Sequence, residues 1–103
     1  MDIFEQLKAD GFNIEPQIEN VIWKYEVHAA NTDILLPADA EIMTAGYDQG
    51  RLYVWVLLDP DAPRIPRRLI VVGTGVRFTN KFVKHIATFR GGEYVSHVLE
   101  VEP

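Results

Sequence analysis

The sequence predicts a mainly β fold of the α+β class, in which five to six antiparallel strands form a small sandwich or rolled sheet preceded by a short helix. The first supporting observation is that apolar and polar residues alternate along segments of strand length, as in Val21 to His28. The second is that tight turns containing glycine separate such segments, at Asp48-Gln49-Gly50 and at Gly91-Gly92. We therefore expect an N-terminal helix and connector over residues 1–20 and a single compact β-rich domain over residues 21–103.

The first residues predict a short amphipathic helix. Asp2 is an N-cap residue with Glu5 three positions later, which is a capping-box spacing, and Gly11 ends the helix. The apolar stripe of this helix consists of Ile3, Phe4 and Leu7. Because a helix of about eight residues is not stable alone, we expect the stripe to pack on the sheet or on a partner.

Alternation with a period of two predicts the first strand at Val21 to His28. One face of this strand carries Val21, Trp23, Tyr25 and Val27. The other face carries Lys24, Glu26 and His28. A shorter extended segment follows at Ile34 to Leu36, and Pro37 confines it to the edge or end of a sheet.

A hairpin is predicted next, with strands at Glu41 to Tyr47 and Arg51 to Asp59 around the Asp48-Gln49-Gly50 turn. Its second strand is apolar on both faces, because Tyr53 and Trp55 alternate with leucine and valine. A strand of this kind must be covered on both faces. We expect the second face of this strand to be covered by the N-terminal helix or by another subunit.

The second half of the chain predicts a turn, a strand and another hairpin. Two prolines make Asp59 to Pro63 a rigid turn, and the next strand runs from Arg67 to Gly73. One helical turn, with an irregular loop as the alternative, is favoured by the spacing of Phe78, Phe82, Val83 and Ile86. Strands at His85 to Arg90 and Glu93 to Val101 then flank Gly91-Gly92.

The composition bounds the class of function. With 103 residues the chain is long enough for one domain and too short for two. It has no cysteine, which excludes disulfides, thiolate nucleophiles, zinc-thiolate sites and iron-sulfur clusters. The first residues show neither a basic leader nor a long apolar run, so we expect no signal peptide and no membrane anchor. We expect a soluble, cytoplasmic protein.

The net charge of −5 is unevenly distributed along the chain. Residues 1–50 carry a net charge of −8, and residues 51–103 carry +3. Between Arg64 and Arg90 there are seven basic residues and no acidic ones. Such a segment can form a positive patch for an anionic partner. We favour a simpler interpretation, in which the basic residues contact the protein's own acidic half or keep the strands soluble.

No catalytic or metal-binding pattern stands out, and we expect neither enzymatic activity nor a cofactor. Asp59 and Asp61 are better explained as turn residues than as an acid-base pair or a cation site. Ser96 and His97 are neighbours on a predicted strand, so their side chains point to opposite faces, which is a poor geometry for a nucleophile pair. Metal-ligand spacing is lacking among the three histidines, His28, His85 and His97.

The segment Gly73, Thr74 and Gly75 is the candidate for an anion site. Its backbone N–H groups can face an anion, with positive charge supplied by Arg67, Arg68 or Arg77. It is not a phosphate-binding P-loop, because the Gly-Lys-Ser/Thr ending is missing and the chain continues as an extended segment. We favour a turn or bulge at this position and keep an anionic small molecule, such as a nucleotide, as the alternative ligand.

The aromatic residues favour protein binding over nucleic-acid binding. Aromatic side chains that alternate with basic ones can stack single-stranded bases. In this chain the aromatics are spread over both halves while the arginines all lie in the second half, and the net charge repels polyanions. We therefore expect the aromatics to pack in the core or to anchor a protein partner.

Six motifs are spread over residues 22–101 and read IWKYEV, LPADAEI, GRLYVWVLLDPDAP, VVGTG, IATF and HVLE. Together they resemble a family of small uncharacterised phage and prophage proteins. Members of that family often carry histidine after the Gly-Thr-Gly motif, where this chain has Val76. The resemblance therefore lends no catalytic or metal-binding role to this loop.

The resemblance implies a phage-encoded accessory protein that acts inside an infected bacterium, and it implies no particular activity. Small acidic phage proteins are often inhibitors of a host protein, for instance one in a nucleic-acid defence system. We therefore expect a non-enzymatic protein that binds a host or phage protein, or a second copy of itself. The residues that we expect to contact the partner or ligand are Tyr53, Trp55, Arg64, Arg67, Arg68, Gly73, Thr74, Gly75 and Arg77.

Overall fold

The computed structural model describes residues 19–91 and 93–103. Within these residues the chain forms β-strands and no helix, and so no helix able to span a membrane. The strands are β1 (Val21–Glu26), β2 (Asn31–Pro37), β3 (Glu41–Asp48), β4 (Arg51–Leu58), β5 (Arg64–Gly73), β6 (Phe82–Gly91) and β7 (Tyr94–Val101).

The strands form two antiparallel sheets. A three-stranded sheet has the order β1-β4-β3, and a four-stranded sheet has the order β2-β5-β7-β6. The expected mainly β, antiparallel fold is confirmed. The expected number of strands is wrong, because the described residues contain seven rather than five or six.

The second strand is longer than the predicted segment Ile34 to Leu36. It begins at Asn31. Thr32, the next residue, is buried, and its hydroxyl donates a hydrogen bond to Ala29 O at 3.1 Å. The sequence signal was weak here because Thr32 is a polar residue at an inward-facing position.

The helical turn predicted around Phe78 to Ile86 is also wrong. Residues 76–79 are irregular, and β6 starts at Phe82. Two irregularities interrupt the register of β6 with β7, between Phe82 and Lys84 and between His85 and Ala87. Each β-bulge adds a residue and shifts the alternation of faces. Val83 and Ile86 are the residues at these two irregularities, so their three-residue spacing, which is that of one helix face, arises within a strand.

The predicted N-terminal helix, at residues 2–10, lies outside the described residues, as does most of the connector up to residue 20. The described residues start at Glu19, two residues before β1.

The core lies between the two sheets and follows the alternation of β4. Leu52, Val54, Val56 and Leu58 are all buried against inward-facing residues of the four-stranded sheet, among them Leu69 and Val98. Burying one such side chain fully contributes about 1.5–3 kcal/mol of stability. The other residues of this cluster are Val27, Ile34, Leu36, Ala40, Ile42, Ala45 and Ile86.

The predicted hairpin between β3 and β4 closes with a two-residue turn. Both turn residues have a positive φ, 51° at Gln49 and 79° at Gly50. These angles are those of a type I′ turn, whose twist matches that of antiparallel strands. The turn sets the register in which Tyr53 and Trp55 share the outer face of the sheet.

The chain between β5 and β6 crosses the outer face of the four-stranded sheet. Both strands are antiparallel to β7, which lies between them, so they run parallel and need a crossover. Asn80 of this crossover lines a groove with Asn31, Asp33 and Arg68, which places it over the outer face. On that face a second apolar cluster is buried, formed by Ile70, Leu99 and Val101.

Candidate functional site

The structure separates the residues that the sequence grouped as a binding site. Tyr53 and Trp55 lie on β4, in the three-stranded sheet. Arg64, Arg67 and Arg68 lie on β5, in the other sheet. The remaining residues lie at the end of β5 or in the crossover that follows it, namely Gly73, Thr74, Gly75 and Arg77.

Arg67 points into the domain and is not available to a ligand. Its Nε lies 2.7 Å from Glu100 Oε2, and its Nη2 lies 2.8 Å from Glu100 Oε1. Its Nη1 donates hydrogen bonds to Pro37 O and Ala40 O, at the connection between β2 and β3. The exposed fractions of the two charged side chains are only 14% and 7%. Arg67 is therefore a structural residue, contrary to the expectation from the sequence.

Arg68 points to the opposite face, as a neighbour on a strand must. It forms two hydrogen bonds with Asp33, from Nε at 2.8 Å and from Nη2 at 3.1 Å. These hydrogen bonds lower the pKa of the Asp33 carboxyl and raise the pKa of Arg68. Asp33 therefore occupies the Nε/Nη2 edge of the Arg68 guanidinium in a bidentate contact within the same chain.

Gly73, Thr74 and Gly75 form a turn, as the sequence favoured, and not an anion cradle. Val76 N donates to Gly73 O at 3.1 Å and Gly75 has a φ of 83°, the geometry of a type II turn. Thr74 N donates to Val95 O at 2.9 Å. The N–H groups of Thr74 and of Val76, the residue after the segment, are therefore already bonded.

Two of the three arginines named for the anion site, Arg67 and Arg68, are not placed to complete an anion pocket at this turn. Arg68 precedes Gly73 by five positions on one strand, a distance of about 17 Å. Arg77 is exposed in the crossover, and Arg67 is buried in its pair with Glu100. Of these three arginines only Arg77 is exposed close to the turn, and the alternative, anion-binding function stays a prediction.

Arg64 connects the two sheets at the start of β5. Its Nη1 donates to Tyr25 Oη at 3.2 Å and to Leu35 O at 3.3 Å. Its guanidinium also lies 5.4 Å from the centre of the Trp23 ring. Arg64 therefore links an edge strand of one sheet, β1, to an edge strand of the other, β2.

The basic segment is largely neutralised by acidic residues of the same chain. Arg68 pairs with Asp33 in the acidic half, and Lys84 Nζ lies 3.9 Å from Glu41 in that half. Lys81 pairs with Glu102 at 3.4 Å. The structure supports the simpler interpretation of the charge asymmetry, since four of the seven basic residues, Arg67, Arg68, Lys81 and Lys84, form ion pairs with described residues.

The outer face of the three-stranded sheet carries a row of partly exposed apolar side chains from β4. Tyr53, Trp55 and Leu57 point outward from β4 and are half-buried. Ile22 of β1 is opposite Leu57 in the register, and 55% of its surface is exposed. We call these four residues, Ile22, Tyr53, Trp55 and Leu57, the aromatic face.

Trp55 is positioned by a glycine on the neighbouring strand. A Cβ atom added at Gly46 would lie 3.3 Å from Trp55 Cζ3 and 3.6 Å from Cη2. The indole ring therefore lies against the backbone of β3, in a space that a side chain would narrow. Trp55 also contacts Tyr53, with ring centres 6.5 Å apart and an interplanar angle of 57°.

Lys24 lies across the other end of the aromatic face. Its ammonium group is 4.4 Å from the centre of the Tyr53 ring and 3.2 Å from Asp48 Oδ2. A cation over an aromatic ring is stabilising. Arg51 and Glu26 form a weaker ion pair at 3.8 Å on the same side of the sheet. The aromatic face thus has a rim of paired charges, close to neutral.

Lys24 and Ile22 were not among the site residues predicted from the sequence. The sequence does indicate that these two residues share the outward face, because they alternate with the inward-facing residues of β1. What the alternation does not reveal is that β1 pairs with β4, which brings Lys24 opposite Trp55.

A polar chain of threonines and histidines crosses β6 and β7 on the outer face of the other sheet. His97 Nε2 lies 2.8 Å from Thr74 Oγ1, and His97 Nδ1 lies 2.9 Å from Thr88 Oγ1. Thr88 Oγ1 also lies 2.8 Å from His85 Nε2. Both ring nitrogens of His97 are thus occupied by threonines. Among the described residues, no group of three His, Asp or Glu side chains is arranged to hold a metal.

A comparison with protein families finds one whose description is "Domain of unknown function (DUF7352)", matching residues 18–103. The chain belongs to this family. The DUF7352 match includes all seven strands, and it begins three residues before β1. Neither curated proteins nor solved structures give a match.

Proposed function

We propose that this DUF7352 domain acts by binding another protein through its aromatic face, and that it is not an enzyme. The observation that carries the proposal is the continuous surface of Ile22, Tyr53, Trp55 and Leu57. Tyrosine and tryptophan are enriched among the residues that dominate protein interfaces, because each adds a large contact area at a small entropic cost.

The rim of this surface supports a protein partner over a polyanion. Lys24 is paired with Asp48, and Arg51 with Glu26, so the surface has no excess of positive charge. Nucleic-acid binding depends on basic residues that neutralise phosphates, and the net charge of −5 opposes it. Charged pairs around an apolar centre are typical of a protein interface, which has a polar rim.

The partner class comes from the resemblance to phage and prophage proteins. On that basis the domain is an accessory protein in the cytoplasm of an infected bacterium, and its partner is a host protein. An inhibitor of a host defence protein fits this class, since occupying a partner's surface requires no catalytic group.

The proposal is tested by capturing partners from a lysate of infected cells with three versions of the chain. The wild-type chain is compared with Trp55→Ala and with Trp23→Ala, a matched control. Trp23 is also a partly exposed tryptophan, with 43% of its surface exposed, but it lies on the opposite side of the sheet, under Arg64.

The proposal predicts a reproducible partner that Trp55→Ala loses and Trp23→Ala retains. Truncating a central interface residue typically costs at least about 2 kcal/mol, or roughly 30-fold in affinity. A partner that both variants retain would show that binding occurs elsewhere. Recovery of no reproducible partner by the wild-type chain would refute protein binding itself.

A further inference from the structure

We propose that two copies of this chain pair through β1, with Tyr25 at the two-fold axis, and join their three-stranded sheets into one continuous sheet. This interaction is distinct from the proposed partner binding, because it uses the edge of the sheet and not the aromatic face.

Among the strands of the described residues, three of the four at sheet edges carry features that oppose pairing. The register of β3 is interrupted between Ile42 and Thr44, and β6 has two such interruptions. Bulges of this kind are a common means of protecting an edge. Lys84 further closes the β3 edge by donating a hydrogen bond to Ile42 O at 3.0 Å.

The β2 edge is closed by arginines and a proline. Val71 N donates to Ala30 O, so the residues of β2 that bond to β5 are Thr32, Ile34 and Leu36. The alternate residues then direct their backbone groups outward. Of these, Leu35 O accepts from Arg64 and Pro37 O accepts from Arg67, and Pro37 has no N–H to donate.

The β1 edge has none of these features. Val21 to Glu26 pair with β4 in an unbroken register and contain no proline. Val27 N donates to Leu52 O at 2.8 Å, so the odd-numbered residues of β1 bond to β4. The N–H and C=O groups of Ile22, Lys24 and Glu26 therefore point away from the sheet, and no hydrogen bond to them is made by the rest of the described chain.

The charges on β1 select one register for self-pairing. An antiparallel pair centred on Lys24 places Lys24 opposite Lys24, which is repulsive. A pair centred on Trp23 places Lys24 opposite Ile22. A pair centred on Tyr25 places Lys24 opposite Glu26 of the second copy, and does so twice because of the two-fold symmetry. The strand is thus complementary to itself in the Tyr25 register.

The hydrogen-bonding pattern agrees with this register. Lys24 and Glu26 both have outward-pointing backbone groups, so they form hydrogen-bonded pairs across the axis. Tyr25 then forms a non-hydrogen-bonded pair with its own copy, with Cα atoms about 4.5 Å apart. The resulting sheet has six strands, twice the three of one copy, and presents the aromatic face twice on the same side.

A single cysteine tests this register directly, because the full chain has no cysteine of its own. Tyr25→Cys places two thiols across the axis at a Cα separation within the range of a disulfide. Trp23→Cys is the matched control, because the two cysteines would be offset by four residues, about 14 Å along the strands. Each full-length variant is oxidised mildly and analysed on a non-reducing gel.

We expect a covalent dimer for Tyr25→Cys and little for Trp23→Cys. Equal cross-linking of both variants would mean random collision, and no cross-linking of Tyr25→Cys would rule out the register; either result overturns the proposal. Sedimentation velocity of the wild-type chain must show a dimer, and a monomer at every concentration tested would equally overturn it.

Charge exchange provides a second test. Lys24→Glu and Glu26→Lys should each weaken the dimer at least tenfold, since each places like charges opposite one another twice, and the double exchange should restore it. Because these substitutions also disturb Asp48 and Arg51, Lys24→Pro serves as an independent variant. It removes an outward N–H that β4 does not use. A Lys24→Pro chain that folds and still dimerises as the wild type does would overturn the proposal.

Hydrogen exchange distinguishes a second copy from the chain's own N-terminal residues as the occupant of the edge. The amides of Ile22, Lys24 and Glu26 should become protected as the dimer forms with rising concentration. Protection of these amides in a monomer would assign the edge to residues 1–18 and contradict the proposal. Trp55→Ala should leave the dimer intact, so loss of partner binding and loss of dimerisation can be told apart.

Discussion

Arg67 and Glu100 form a bidentate ion pair inside the domain, with Nε 2.7 Å from Oε2 and Nη2 2.8 Å from Oε1. The pair joins β5 to β7, and the same guanidinium holds the carbonyl groups of Pro37 and Ala40. It therefore fixes the connection by which the chain passes from the four-stranded to the three-stranded sheet.

The first prediction is that Glu100→Ala destabilises the domain by about 3–5 kcal/mol, because it leaves the Arg67 charge buried without a partner. Glu102→Ala is the control, since Glu102 forms an exposed ion pair with Lys81, and its loss should cost at most about 1 kcal/mol. Chemical denaturation measures both. Similar losses of stability in the two variants would contradict the structural role of the buried pair.

The second prediction concerns Gly46, whose missing side chain leaves room for Trp55. Gly46→Ala should displace the indole ring, because the added Cβ would lie 3.3 Å from Trp55 Cζ3. The fluorescence emission of Trp55, measured in a Trp23→Phe background, should change while the fold is retained. Gly91→Ala is the control, since its Cβ would meet nothing within 4 Å. An unchanged emission of Trp55 in the Gly46 variant would show that the ring does not rest against this strand.

The third prediction concerns pH. The pKa of Asp33 is lowered by its hydrogen bonds with Arg68, so the ionised carboxylate stabilises the folded state. This contribution is complete above the unfolded pKa of about 3.9 and is lost as the pH falls through the lower, folded value. Asp33→Asn should therefore reduce stability at neutral pH and approach the wild type in strong acid.

Denaturation at several pH values measures this difference. Asp39→Asn is the control, because Asp39 is exposed and forms no ion pair among the described residues. A stability difference between Asp33→Asn and the wild type that is the same at neutral pH and in strong acid would contradict the role of the Arg68 contact.

The fourth prediction concerns the turn between β3 and β4. Gly50→Ala should cost about 1–2 kcal/mol, because a residue with a Cβ is strained at a φ of 79°. Gln49→Asn should stabilise the hairpin, since asparagine followed by glycine is the preferred type I′ sequence. Thermal unfolding measures both, and a neutral Gly50→Ala would show that the turn adopts another conformation.

Strand alternation made the faces of β1 and β4 predictable. The division of β1 into Trp23 and Tyr25 on one face and Lys24 and Glu26 on the other is found in the register with β4. The Asp48-Gln49-Gly50 turn was also predictable, because positive φ values favour glycine. These features depend on residues that are close in sequence.

The binding site was less predictable, because it depends on contacts between distant residues. The basic residues 67 and 68 are adjacent in sequence, yet the strand sends Arg67 to the core and Arg68 to the outer face. Their partners, Glu100 and Asp33, are 33 and 35 positions away. Only the pairing of strands determines such contacts, so the sequence did not reveal that four of the seven basic residues form ion pairs within the chain.

The central claim is that the aromatic face binds another protein. Titration of the captured partner with the purified chain tests this claim most directly. Calorimetry would compare the affinity of the wild-type chain with those of Trp55→Ala and Trp23→Ala. We predict a loss of roughly 30-fold or more for Trp55→Ala and little change for Trp23→Ala. Equal affinities for Trp55→Ala and the wild-type chain, with both folded, would contradict the account.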